Sequence, residues 1–168
     1  MKRLLLLLLL LLLPVQLLAG QRKLAEIQAA YLINFIKYTH WENLEEEAPL
    51  HVYIFAPAVY EVLKENSLAS IHNQPVIFTE VKKNNVEFKD ANVVFISRDM
   101  EKYVKESVWK SFSPSTLVVS DGYETAMKGG VIELRIVKGK LRFLVNTSRI
   151  SGMTISSNLL RMAIEVIK

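Results

Sequence analysis

Ala91-Asn92-Val93-Val94-Phe95-Ile96-Ser97 and Thr116-Leu117-Val118-Val119-Ser120-Asp121 decide the fold. Each is a short apolar run rich in β-branched residues, bounded by polar ones, and neither alternates apolar with polar. A strand with one wet face alternates. A strand that is apolar throughout is buried on both faces, as in a parallel sheet covered by helices above and below. Leu50 to Ala56 and Pro75 to Val81 have strand character as well, and Val59, Val62 and Leu63 between them suit a short helix. From Asp99 to Lys110, Met100, Tyr103, Val104 and Val108 return to helical spacing. Asp121-Gly122 opens a further short helix, and Gly129-Gly130 closes it. Strands alternating with helices predict a mostly parallel sheet between helical layers.

The end of the chain changes style. Val131 to Val137 and Lys140 to Val145 read as two strands joined by Lys138-Gly139, a tight hairpin turn. A last helix capped by Ser156 or Ser157 is expected to bury Leu159, Leu160, Ala163, Val166 and Ile167. The predicted class is therefore α/β: a three-layer sandwich whose mostly parallel sheet carries an antiparallel C-terminal hairpin at one edge.

At the other end, Gln21 to Tyr38 is a helix with Leu24, Ile27, Tyr31, Phe35 and Tyr38 on one stripe. Ala29, Ala30, Leu32, Ile33 and Ile36 fill its other faces. A surface helix needs a single apolar stripe, so this one calls for cover on more than one side, from its own core or from a second chain. Asn34 lies among these apolar residues, where a buried amide would need a partner.

Residues 1–20 read as a secretory signal peptide. Lys2 and Arg3 form the basic start, Leu4 to Leu13 the apolar run, and Ala19 and Gly20 the small residues of a cleavage site. Cleavage near Ala19 or Gly20 would deliver residues 21–168, a single domain, to the periplasm. A retained signal anchor is the rival reading and exports the same domain. The chain has no cysteine, and Gln21 stands where a lipoprotein would carry one, so no lipid anchor is expected. The 21 basic and 17 acidic residues include Lys2 and Arg3, which leave with the signal. With no basic stripe interleaved with aromatics, nothing argues for nucleic acid.

The chemistry is sparse. His40, His51 and His72 have no metal-pair spacing, and Phe55-Ala56-Pro57 stands where a phosphate loop would follow the first strand. No serine elbow is present. No catalytic residue, metal or cofactor is expected, and an enzyme is the least favoured class. Ser97, Ser120 and Asp121 end strands where open α/β sheets place ligand groups, which makes them the candidate ligand-binding residues. Helix capping is the plain alternative for Asp121. Asn146-Thr147-Ser148 matches a glycosylation acceptor, although a turn cap is the plainer reading.

Taken in order, several stretches resemble the YfiR family of periplasmic proteins. They are Ala29-Ala30-Tyr31-Leu32-Ile33-Asn34-Phe35-Ile36-Lys37-Tyr38 with Trp41, the two strands above, Gly129-Gly130-Val131-Ile132, Arg142-Phe143 with Asn146, and Ile155-Ser156-Ser157-Asn158-Leu159-Leu160-Arg161. The resemblance implies a compact α/β domain that dimerises. It also implies a non-enzymatic repressor that binds the outer part of an inner-membrane diguanylate cyclase, lowering cyclic-di-GMP output and biofilm formation. Some relatives carry cysteines that couple regulation to redox state; this chain has none. Tyr31, Asn34, Phe35, Tyr38 and Trp41 are the expected partner or dimer interface, since buried aromatics dominate binding. The bland alternative is that they complete the domain's own core. A small-ligand-binding protein, or an adaptor for another membrane receptor or sensor kinase, is the alternative function.

Overall fold

The computed structural model describes residues 2–45, 47–66 and 68–168, with side chains described from Gly20 onward. The signal-peptide reading of residues 1–20 therefore falls almost wholly on side chains outside the described residues. Among the described residues, no helix is long and apolar enough to cross a membrane. The chain runs α1 (Lys2–Lys37), β1 (Thr39–Trp41), β2 (Leu50–Phe55), α2 (Pro57–Glu65), β3 (Ser70–Ile71), β4 (Gln74–Glu80) and β5 (Val93–Ile96). It continues with α3 (Arg98–Glu101), α4 (Glu106–Ser111), β6 (Leu117–Ser120), α5 (Thr125–Lys128), β7 (Ile132–Val137), β8 (Lys140–Asn146), β9 (Met153–Ile155), α6 (Ser157–Met162) and β10 (Glu165–Ile167).

Among the described residues, eight strands form the main sheet in the order β10-β8-β7-β6-β5-β2-β4-β3. β4, β2, β5, β6 and β7 run parallel. The central strands are closed on both faces because their side chains alternate between two cores. Val52, Ile54, Val93, Phe95, Leu117 and Val119 join Leu32, Phe35 and Ile36 of α1 on one side. Phe55, Val94, Ile96 and Val118 join Val104 and Trp109 on the other. The three layers expected from the two apolar runs are thus present. After β2 the chain first adds β4 on one flank and then crosses to β5 on the other, which puts the topological switch between β2 and β5.

The β7–β8 hairpin pairs from Ile132↔Val145 to Val137↔Lys140. Its turn residues Lys138 and Gly139 both have positive φ, 50° and 72°, the backbone of a type I′ turn. Beyond the hairpin, the expected last helix is corrected: α6 stops at Met162, and Val166 and Ile167 belong to β10, laid parallel along β8. The Ile164 amide donates to Phe143 and that of Thr147 to Ile167, so the exposed edge of β8 gains partners that a longer helix would deny it. The helix expected over Asp99 to Lys110 is split into α3 and α4, because Lys105 adopts an extended backbone before Glu106. A small antiparallel sheet, β1 with β9, lies outside the sequence reading.

α1 turns a different face inward from the stripe counted in the sequence. Ala25, Gln28, Ala29, Leu32, Phe35 and Ile36 are buried, while Leu24, Ile27 and Tyr38 stay 37%, 39% and 40% exposed. The helix is apolar on both faces, so packing chose between them. Ala25 and Ala29 let the backbone approach closely, which the bulkier Leu24–Ile27 face would not. Tyr31 sits at the boundary. Its hydroxyl donates to the Leu141 carbonyl at 2.9 Å, and its ring meets Phe35 and Phe143 edge-on. Asn34 is exposed to solvent and needs no buried partner.

Candidate functional site

Ser97 and Asp121, at the C-terminal ends of β5 and β6, line a crevice of about 310 Å³ that also touches Gln28, Pro57 and Leu141, while Ser120 is buried at the end of β6 and does not reach it. Asp121 is fully engaged. One carboxylate oxygen accepts from the Arg98 amide at 2.7 Å, so the side chain caps α3 rather than the later helix. The other accepts from the Gln28 side-chain amide at 2.9 Å. The Arg98 guanidinium donates twice to the Asp121 carbonyl, at 3.1 and 2.9 Å, and stacks over the Tyr123 ring. Among the described residues, Gln28 is the one buried polar side chain of α1, so this contact ties the helix to the strand ends.

A second knot lies one residue back. Ser120 is buried; its hydroxyl accepts from the Gly122 amide at 2.9 Å and donates to Glu101 at 3.4 Å. The same carboxylate accepts from Thr125 at 3.3 Å and lies 3.5 Å from the Lys128 ammonium. A Cβ on Gly122 would sit 1.9 Å from a Glu101 oxygen, so a larger residue there would push this carboxylate out of its place. The Ser97 hydroxyl makes a long contact, 3.4 Å, to the Phe55 carbonyl. At this end of the sheet the polar groups serve one another.

The opposite end of α1 is arranged differently. A groove of about 670 Å³ opens where the helix runs into β1, lined by Tyr38, His40, Trp41, Leu44 and His72 among others. The Trp41 indole is mostly buried and donates to the Ser115 carbonyl at 2.9 Å. His72 sits in the β3–β4 turn with φ of 52°, and its Nε2–H donates to the Lys37 carbonyl at 2.8 Å. A carbonyl only accepts, which fixes the proton on that nitrogen. The bond also satisfies one of the open carbonyls at the helix end. His40 is exposed on the outer side of β1, and His51 lies in β2. Among the described residues, no three metal-ligating side chains cluster.

From this groove the outer face of α1 continues as Tyr38, Asn34, Tyr31, Ile27 and Leu24, at alternating spacings of four and three. That is the seam spacing of helices that pack on another helix. Of the expected interface residues, Tyr38 and Asn34 are on this face, Tyr31 borders it, Trp41 floors the groove, and Phe35 is sealed in the core.

Most of this architecture, the inner core and the outer seam from Ile27 to Tyr38, falls inside one family profile covering residues 25–164. The chain belongs to the YfiR/HmsC-like family. The YfiR/HmsC-like match begins at Ala25, the first buried residue among those described in α1, and ends at Ile164, just before β10. It therefore takes in the strand-end cluster and the groove together. No curated protein matches the chain.

Sequence reasoning missed Gln28, Arg98, Glu101, Leu24 and Ile27 as members of these sites. Gln28 carried a usable signal: it falls at helical spacing with Ala25, Leu32 and Phe35, a polar residue on an otherwise apolar face. Arg98 and Glu101 carried none, because their partners lie about twenty residues away across a crossover.

Proposed function

We propose that the mature domain acts in the periplasm as a non-enzymatic regulator that binds the outer part of an inner-membrane sensor, a diguanylate cyclase in the first instance. By holding that enzyme inactive it lowers cyclic-di-GMP output and biofilm formation. The single observation behind this reading is the outer seam of α1, where Leu24, Ile27 and Tyr38 stay exposed in a helix whose other face already completes the domain. Exposed apolar residues scattered singly need no explanation; a row in register along one helix marks an interaction surface. Membership of the YfiR/HmsC-like family and the leader-like residues 1–20 favour an exported partner. The same seam suits a homodimer, in which two copies of α1 meet.

The test is a pull-down from solubilised membranes with the exported, C-terminally tagged protein. Recovery of a cyclase is the expected result, and the paired substitutions Ile27→Ser and Tyr38→Ala should abolish it without unfolding the domain. If the folded variant recovers the same partner in the same yield, the seam is not the binding surface.

A second reading, a small-ligand-binding protein or an adaptor for another receptor or sensor kinase, draws on the crevice at the β2/β5 switch point. Open α/β sheets bind ligands at that position. A metabolite thermal-shift screen separates the two, since a ligand there would give saturable stabilisation by mass action. Loss of that stabilisation in Arg98→Ala would assign it to the crevice.

A further inference from the structure

On the face of the sheet away from α1, α4 and α5 enclose a groove of about 510 Å³ that nothing above employs. Val104 and Trp109 form its floor, and Met127 stands over it, 79% exposed. Five charged residues rim it, and four of them pair off. Lys110 lies 2.6 Å from Glu106, and Lys128 lies 3.5 Å from Glu101. The Lys110 ammonium holds the Glu106 carboxyl below the usual carboxylate range. Arg149, from the turn after β8, has no hydrogen bond or ion pair among the described residues. Its guanidinium lies against the backbone of Gly129, where a Cβ would stand 2.8 Å from Nη1. Gly129 has φ of 110°, a conformation that favours glycine, and its missing side chain leaves the Arg149 guanidinium room to lie there.

We propose that this groove docks an acidic peptide: an extended segment of a partner protein that seats an apolar side chain on Trp109 and Met127 and pairs an adjacent Asp or Glu with Arg149. The rim is neutral but for one cation, so one carboxylate completes it. A phosphate dianion or an anionic lipid surface would meet Glu101 and Glu106 as well. Arginine's planar fork matches a carboxylate bidentately. An exposed methionine beside a tryptophan gives an adaptable apolar seat, the pairing found where proteins bind varied segments. The proposal is independent of the α1 seam, which lies on the other side of the sheet.

The exported protein is panned against a displayed random peptide library, and the enriched consensus is titrated while amide and indole resonances are followed by NMR. The expected consensus sets Asp or Glu next to Leu, Met or Phe and perturbs Trp109, Met127 and Arg149. Its affinity falls about tenfold in Arg149→Gln, as the loss of a charge-assisted pair gives, and falls equally when the peptide carboxylate becomes an amide. Arg149 is exposed, so both the Gln and Lys variants should melt like the parent; Arg149→Lys should restore part of the affinity. The proposal is overturned if no consensus emerges, if the peptide binds Arg149→Gln as well as the parent, if the perturbations centre on Leu24 and Tyr38, or if anionic vesicles bind through Arg149 and peptides do not.

Discussion

The two ends of α1 offer a contrast in how polar chemistry is used. Near Gln28, every strong polar group finds another: Asp121 holds Gln28 and Arg98, and Glu101 holds Ser120 and Thr125. Near Tyr38, an imidazole caps the helix while a phenol ring, a second histidine and the edge of an indole face an open groove. Residue types that suggest ligand binding are therefore concentrated where they are already spent on the fold. The surface left for another molecule is mostly aromatic and aliphatic. Strand ends in an open sheet are only candidate sites; whether their side chains remain free depends on what the crossover loops bring against them.

That contrast can be broken by substitution. Trp41→Ala should have the largest effect, a loss of about 3–5 kcal/mol from cavity formation and the orphaned Ser115 carbonyl, read from denaturant midpoints. An unchanged midpoint would mean Trp41 belongs to the groove alone. Asp121→Ala should cost about 1–3 kcal/mol, because it leaves the buried Gln28 amide without an acceptor. Gln28→Leu, which removes the other partner, should partly relieve that cost in the double variant, and strict additivity would deny the coupling. Tyr38→Ala should shift stability by less than about 1 kcal/mol while removing partner capture, since a half-exposed ring contributes more to an interface than to its own core. Glu106→Gln should be the smallest change. Its carboxyl is held low in the folded state, so its contribution is present above the ordinary glutamate range and disappears as pH falls through the folded value. The parent should melt slightly higher than the variant at neutral pH, and the two should converge in acid.

Much of the architecture was legible in the chain. Val93 to Ile96 and Leu117 to Ser120 announced strands buried on both faces, and both proved closed on two sides. Lys138-Gly139 named its turn. Less of the site was legible. Tyr31, Asn34 and Tyr38 do fall on or beside the outer face of α1, whereas Phe35, grouped with them in the sequence, turns its ring into the core one turn from Tyr31. Leu24 and Ile27 were seen as part of the stripe without being recognised as its exposed portion. A periodicity identifies a face; it does not say which of two apolar faces the rest of the chain will cover.

The sequence by itself determined the layers, the hairpin, the export leader as an expectation and the absence of any thiol chemistry, because each follows from local residue type or from simple count. Only the tertiary structure decided that Ala25 and Ala29 draw α1 down on its inner side, that Val166 and Ile167 leave the helix to close the β8 edge, that Asp121 is saturated, and that Arg149 is not. All four depend on contacts between residues far apart in the chain, where packing volume and unmet backbone hydrogen bonds outweigh local propensity.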